Sequence, residues 1–177
     1  MDTIYKSDNK RVFLTFDDGP SPVTSKILDI LKQENVKATF FILGSNVDSR
    51  KDVVKRMYEE GHYLANHGYS HTYSKIYSSP QSVLDEYNEC NDKIKNAIEV
   101  PDYNSHLFRF PGGLAGGKYA EIKKEAKELL LQNNIVNVDW NALTGDAETN
   151  NLSVEFEMTR LTETMESKNS LVILMHD

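Results

Sequence analysis

Asp17 and Asp18 are adjacent carboxylates in the run Leu14-Thr15-Phe16-Asp17-Asp18-Gly19-Pro20, and further along His67 and His71 bracket His-Gly-Tyr-Ser-His. One carboxylate and two imidazoles make a nitrogen-oxygen donor set that suits zinc, with a fourth position left for water. The second carboxylate of the pair is then free to act as a base on that water, which is the layout of metal-assisted hydrolysis. Each motif has a plainer alternative. Asp-Gly-Pro is a common turn sequence. A histidine pair four apart is often incidental, and Gly68 makes a tight loop as good a reading as a helical turn. The run lacks the Glu after the first His that marks the zincin helix. His62 and His106 are read as structural or surface histidines.

Three further strand-end groups join them. Arg109 lies between Phe108 and Phe110, so alternation turns it to the opposite side from both rings. An inward arginine needs an anionic partner. That partner is either a structural carboxylate or the base Asp17, which Arg109 would then orient. Asp139-Trp140 follows an apolar run, and Leu174-Met175-His176-Asp177 ends the chain. A strand-end histidine beside an aspartate can serve as a general acid. Trp140 is the only tryptophan, either core packing or a pocket wall.

The elements that must position these groups alternate. Apolar runs at 12–16, 38–43, 62–66, 107–110, 135–138 and 171–175 read as strands. Helical patterns fill 21–31, 49–60, 80–100, 119–133 and 153–167, helped by Pro22 in a first turn and Gly61 at a stop. Strand-helix repetition argues for an α/β fold with a parallel sheet, open or closed into a barrel. Asp17, Asp18, His67, Arg109, Asp139 and His176 all fall at or just after the C-terminal ends of these strands, the edge where such folds build their sites.

Composition sets the bounds. At 177 residues, with 39% hydrophobic and 27% charged residues, the chain reads as one globular domain, 1–177, with 1–10 as a leading segment. A net charge of −7 without a basic block argues against nucleic acid as a partner. The single cysteine, Cys90, excludes an internal disulfide and a multi-thiolate metal site. No apolar run is long enough for a membrane span. The N-terminus, Met1 to Lys6, has no apolar signal core. The oligomeric state is not legible.

The ordered motifs resemble the polysaccharide deacetylases of carbohydrate esterase family 4, the NodB-homology domain. The quoted segments are Thr15-Phe16-Asp17-Asp18-Gly19, His67-Gly68-Tyr69-Ser70-His71, Arg109-Phe110-Pro111-Gly112-Gly113, Asp139-Trp140 and Leu174-Met175-His176-Asp177. The resemblance implies an irregular (β/α) barrel of seven or eight strands. It implies removal of N-acetyl groups from an N-acetylhexosamine polysaccharide, peptidoglycan or chitin-like, with release of acetate. Alternatives are an acetyl xylan esterase and a non-catalytic carbohydrate-binding module. By the resemblance, Asp17 is the base and Asp18, His67 and His71 hold one divalent metal, zinc or else cobalt. Arg109 orients Asp17, Asp139 tunes His176, and His176 is the acid. The Gly112 amide is the oxyanion donor, and Trp140 and Leu174 wall the acetyl pocket.

The resemblance also implies an extracellular or cell-surface place in a bacterium, with the leader or anchor missing from this chain and the cytoplasm as the alternative. Two positions depart from the family's pattern. Gly68 stands where a serine or threonine is usual, and Gly112 where an aromatic is frequent, which removes one pocket wall. Six strands are one short of the barrel. The expectation is therefore a chain truncated at its C-terminal end, lacking a strand and a covering helix. Its last strand would be an open edge beside the first, with apolar surface on both facing solvent.

Overall fold

The computed structural model describes residues 2–148 and 153–177. Seven parallel strands form one curled sheet: β1 Arg11–Asp17, β2 Thr39–Ile42, β3 Tyr63–Asn66, β4 Leu107–Phe108, β5 Val136–Asn137, β6 Ala142–Leu143 and β7 Ser170–His176, in the order β5-β4-β3-β2-β1-β7-β6. Among the described residues eight helices accompany them: α1 Asp2–Tyr5, α2 Thr24–Gln33, α3 Gly44–Val47, α4 Lys51–Glu59, α5 Tyr73–Ile76, α6 Pro80–Ile98, α7 Ala120–Gln132 and α8 Val154–Met165. The result is an incomplete (β/α) barrel.

Period-two alternation divides the strands between two cores. Phe40, Ile42 and Leu64 pack outward against Leu28, Val54, Met57, Cys90 and Ile94 of the covering helices. Their neighbours Phe41 and Ala65 face the concave side with Val138 and Val172, where Ile4 and Tyr5 of α1 also pack. Burying each large apolar side chain contributes roughly 1.5–3 kcal/mol. The helices stop where their sequence dictates. Ser79 accepts from Ser82 N at 3.1 Å ahead of Pro80 and caps α6, and Gly61 at φ +79° follows α4.

Two expectations are corrected. The last strand is not an edge: β7 lies between β1 and β6, and the edges are β5 and β6. Its apolar residues Leu171, Val172 and Ile173 are buried, whereas Val12 and Phe13 at the start of β1 are exposed. The strand count was short because β6 has only two residues, too few to show a period. The segment between β5 and β6 bridges the two edges: Asn141 N donates to Val172 O, and Asn141 Nδ2 donates to Ser170 O.

Candidate active site

The same alternation points Thr15 and Asp17 to the concave side, while Leu14 and Phe16 pack outward. Register places Asp17 directly opposite His176 on the neighbouring strand, and Asp177 N donates to Asp17 O at 2.9 Å. Both groups therefore leave the sheet at one C-terminal edge. There a cavity of about 330 Å³ is lined by Asp17, Asp18, His67, His71, Tyr73, Gly112, Trp140, Ala147, Leu174 and His176.

Arg109 organises the floor of this cavity and is completely buried. Its Nη1 donates to Asp17 Oδ1 at 2.7 Å and to Thr15 Oγ1 at 2.8 Å. Its Nε donates to Val138 O and its Nη2 to Asp139 O. The guanidinium lies 3.9 Å over the Phe41 ring. Burial pushes the Asp17 carboxyl up to about 6, against the lowering effect of Arg109.

Asp18, His67 and His71 offer one ligand atom each, all within 4.8 Å of one another, and so form a group that could hold a metal ion. Hydrogen positions decide the fit. His67 Nδ1 faces the Arg109 carbonyl oxygen at 2.7 Å, and a carbonyl can only accept. The proton therefore sits on Nδ1, and the Nε2 lone pair faces Asp18 Oδ1 at 3.5 Å. Burial holds His67 well below the ordinary imidazole range, so the ring is neutral. His71 Nε2 lies 3.4 Å from the same oxygen, which is buried and has no hydrogen-bond donor. Acceptors converging on one point without a hydrogen between them fit a cation. Asp18 at φ 72° and His71 at φ 53° hold left-handed backbone, the strain typical of a built site.

The histidine loop is neither a helix nor unsupported. Glu86 of α6 accepts from Tyr69 N at 2.8 Å, from Ser70 N at 2.6 Å and from Ser70 Oγ at 2.6 Å. Gly68 at φ +85° leaves no room for a side chain, since a Cβ there would meet Ile76 Cδ1 at 2.9 Å. Bracing thus comes from a neighbouring helix instead of a hydroxyl at position 68. Sequence reading passed over Glu86, although Val83, Glu86, Tyr87, Cys90 and Ile94 form the buried stripe of α6 and an acid within such a stripe is a signal.

His176 does not meet Asp139. Asp146 Oδ1 lies 3.0 Å from His176 Nδ1, and Asp146 Oδ2 accepts from His176 N at 2.6 Å. Asp139 Oδ2 accepts instead from Leu114 N at 3.1 Å. The reason is topological. Asp139 lies just after β5 and turns its carboxylate to the Leu114 amide, whereas β6 pairs with β7 and its next turn delivers Asp146. Sequence reading missed Asp146 because it missed β6. The hydrogen bond that His176 donates to Asp146 raises the His176 pKa, outweighing burial. A raised imidazole pKa stabilises the fold fully below the unfolded value, and this contribution is lost as pH rises through the folded value. Asp146→Asn is expected to lower the His176 titration midpoint followed by NMR, and Asp139→Asn to leave it in place. The opposite pattern would restore Asp139 as the partner.

The Pro111-Gly112-Gly113 turn is held from both sides. Tyr77 donates to Pro111 O at 2.7 Å, and buried Lys123 donates to Gly113 O at 2.6 Å. Gly113 N is used by Phe110 O. The Gly112 N–H has no acceptor among the described residues and is left available at the cavity. Trp140 covers Gly113, and Leu174 lines the same cavity beside Ala147.

The polysaccharide deacetylase family model matches residues 5–132. A peptidoglycan-N-acetylglucosamine deacetylase of Bacillus cereus is 33% identical over 173 residues, covering 96% of this chain and 60% of its own length. The chain spans about three fifths or less of the length of the curated relatives it matches. Among solved structures, a Streptococcus mutans CE4 esterase superposes with a TM-score of 0.88 at 34% identity, covering 99% of this chain and 76% of that one. The catalytic domain of peptidoglycan N-acetylglucosamine deacetylase from Eubacterium rectale gives 0.87 at 32% identity, covering 96% and 77%.

Proposed function

Since the chain belongs to the polysaccharide deacetylase family, we propose that it is a metal-dependent hydrolase that removes acetyl groups from N-acetylhexosamine units of a polysaccharide, N-acetylglucosamine of peptidoglycan foremost. The observation that carries this reading is the convergence in one cavity of Arg109-bound Asp17, the Asp18/His67/His71 group and His176. A sugar-binding module has no use for a buried carboxylate facing a histidine across two strands. The peptidoglycan choice is supported by the names of the Bacillus cereus and Eubacterium rectale proteins.

Asp18, His67 and His71 would hold the metal, zinc by their donor chemistry, with cobalt as a substitute. Such an ion supplies Lewis acidity and lowers the pKa of bound water toward about 7. Asp17 takes the proton of the attacking water, with its Oδ1 fixed by Arg109. The free Gly112 N–H donates to the oxygen of the acyl group as charge develops there. His176, held in tautomer and orientation by Asp146, gives its proton to the departing nitrogen. Leu174 and Trp140 line the space available to the acetyl methyl. The products are acetate and a free amino sugar.

A bacterial cell-surface location follows from such a substrate. No helix among the described residues is long and apolar enough to cross a membrane. The test is acetate release by zinc-loaded protein from peptidoglycan, chitin oligomers and acetylated xylan. Release from the first two is expected. Release from xylan alone would make the enzyme an esterase, and release from none would sink the hydrolase reading.

A further inference from the structure

Tyr73 opens α5 directly after the histidine loop, is about two-fifths exposed, and lines the cavity. It is held by two edge contacts, to His71 at 5.7 Å and to Tyr77 at 5.6 Å between centroids. Tyr77 is itself buried and fastened to Pro111 O. The phenol reaches across to the Gly112 turn: a Cβ built on Gly112 would lie 2.5 Å from Tyr73 Oη. Gly112 also sits at φ +72°. The place a side chain at position 112 would take is thus filled by the hydroxyl of Tyr73. That hydroxyl has no hydrogen-bond partner among the described residues.

We infer that Tyr73 Oη is a second donor to the acyl oxygen, beside the Gly112 N–H. A group that touches both His71 and Gly112 borders the space between them, and an acyl oxygen within reach of both must lie there. A phenol hydroxyl donates one hydrogen bond. Gly112 therefore loses no pocket wall. Tyr73 supplies one from the other loop, and adds a hydrogen bond that an apolar ring would lack.

The inference rests on the deacetylase reading, and one variant separates the two. Tyr73→Phe keeps the ring and removes the donor. On an N-acetylglucosamine oligomer its kcat is expected to fall by about 10²-fold, the effect of losing one oxyanion donor, with KM unchanged. Affinity for a phosphonate analogue of the tetrahedral acyl carbon should fall in parallel. Zinc affinity by chelator competition and the melting temperature should match the parent. Equal kcat and KM in parent and variant would overturn the role of the hydroxyl alone. A raised KM at full kcat would move its contact to the sugar and overturn the acyl assignment. Loss of zinc affinity would reduce Tyr73 to a support for His71. A parent protein that releases no acetate would overturn both this inference and the reading beneath it.

Discussion

Asp17→Asn is expected to lower kcat by about 10²–10⁴-fold, the usual contribution of a positioned general base, while zinc stays bound. The group that could hold a metal is Asp18, His67 and His71, and Asp17 Oδ2 stands 3.7 Å from His67 Nε2 as a neighbour. Asparagine keeps an oxygen for Arg109 Nη1, so the floor of the site survives. The sign of the stability change is a second readout. Burial raises the Asp17 pKa to about 6, above its ordinary 3.8. A carboxyl with a raised folded pKa disfavours the fold as pH climbs from the unfolded value through the folded one. The metal-free variant should therefore be no less stable than the parent at pH 8. Asp18→Asn should behave in reverse, losing zinc as well as turnover. If Asp17→Asn lost zinc and Asp18→Asn kept it, the two carboxylates would exchange roles.

Much of this arrangement is legible in the sequence because strand ends are. Apolar runs that stop at Asp17, Asn66, Phe108 and His176 mark one edge of the sheet, and Asp17, Asp18, His67 and His176, at or just after three of those stops, line the cavity. The α/β class and a parallel sheet, open or closed, follow from the same alternation, and the barrel follows from the family resemblance. What was not legible is what short or irregular backbone delivers. A two-residue strand hid β6, and with it Asp146 and the position of β7 inside the sheet. The family resemblance makes Asp139 the partner of His176, yet its carboxylate serves the Leu114 amide. Tyr73 and Glu86 act across loops, Tyr73 toward Gly112 and Glu86 toward Ser70. Neither contact has a fixed sequence spacing, so no periodicity could announce it. Gly68 and Gly112 read as losses from the sequence, but the structure supplies both functions from elsewhere in the chain.

Arg109→Met is expected to destabilise the protein by about 3–5 kcal/mol, the cost of leaving a buried charge without its partner. Arg109, just after β4, is the hub that joins β1 to the segment after β5: it binds Asp17 and Thr15 from β1, the Val138 carbonyl after β5, and the Asp139 carbonyl beyond it. Methionine fills much of the volume and keeps contact with Phe41, so a cavity is not the main penalty. The loss should depend on pH. Without the guanidinium, the main opposition to the burial that already raises Asp17 is gone, only the weaker pull of His176 and His71 remains, and its pKa climbs further above the unfolded value. The carboxyl then escapes the penalty by staying protonated in acid. The deficit should be smallest near pH 4 and grow toward pH 8, as read by denaturant unfolding of metal-free protein. Adding Asp17→Asn to Arg109→Met removes the orphaned charge and should restore part of the lost stability, most at the higher pH. A double variant no more stable than Arg109→Met alone would assign the loss to the two carbonyls that the guanidinium leaves unbonded, and Asp17 would owe Arg109 its orientation but not its charge.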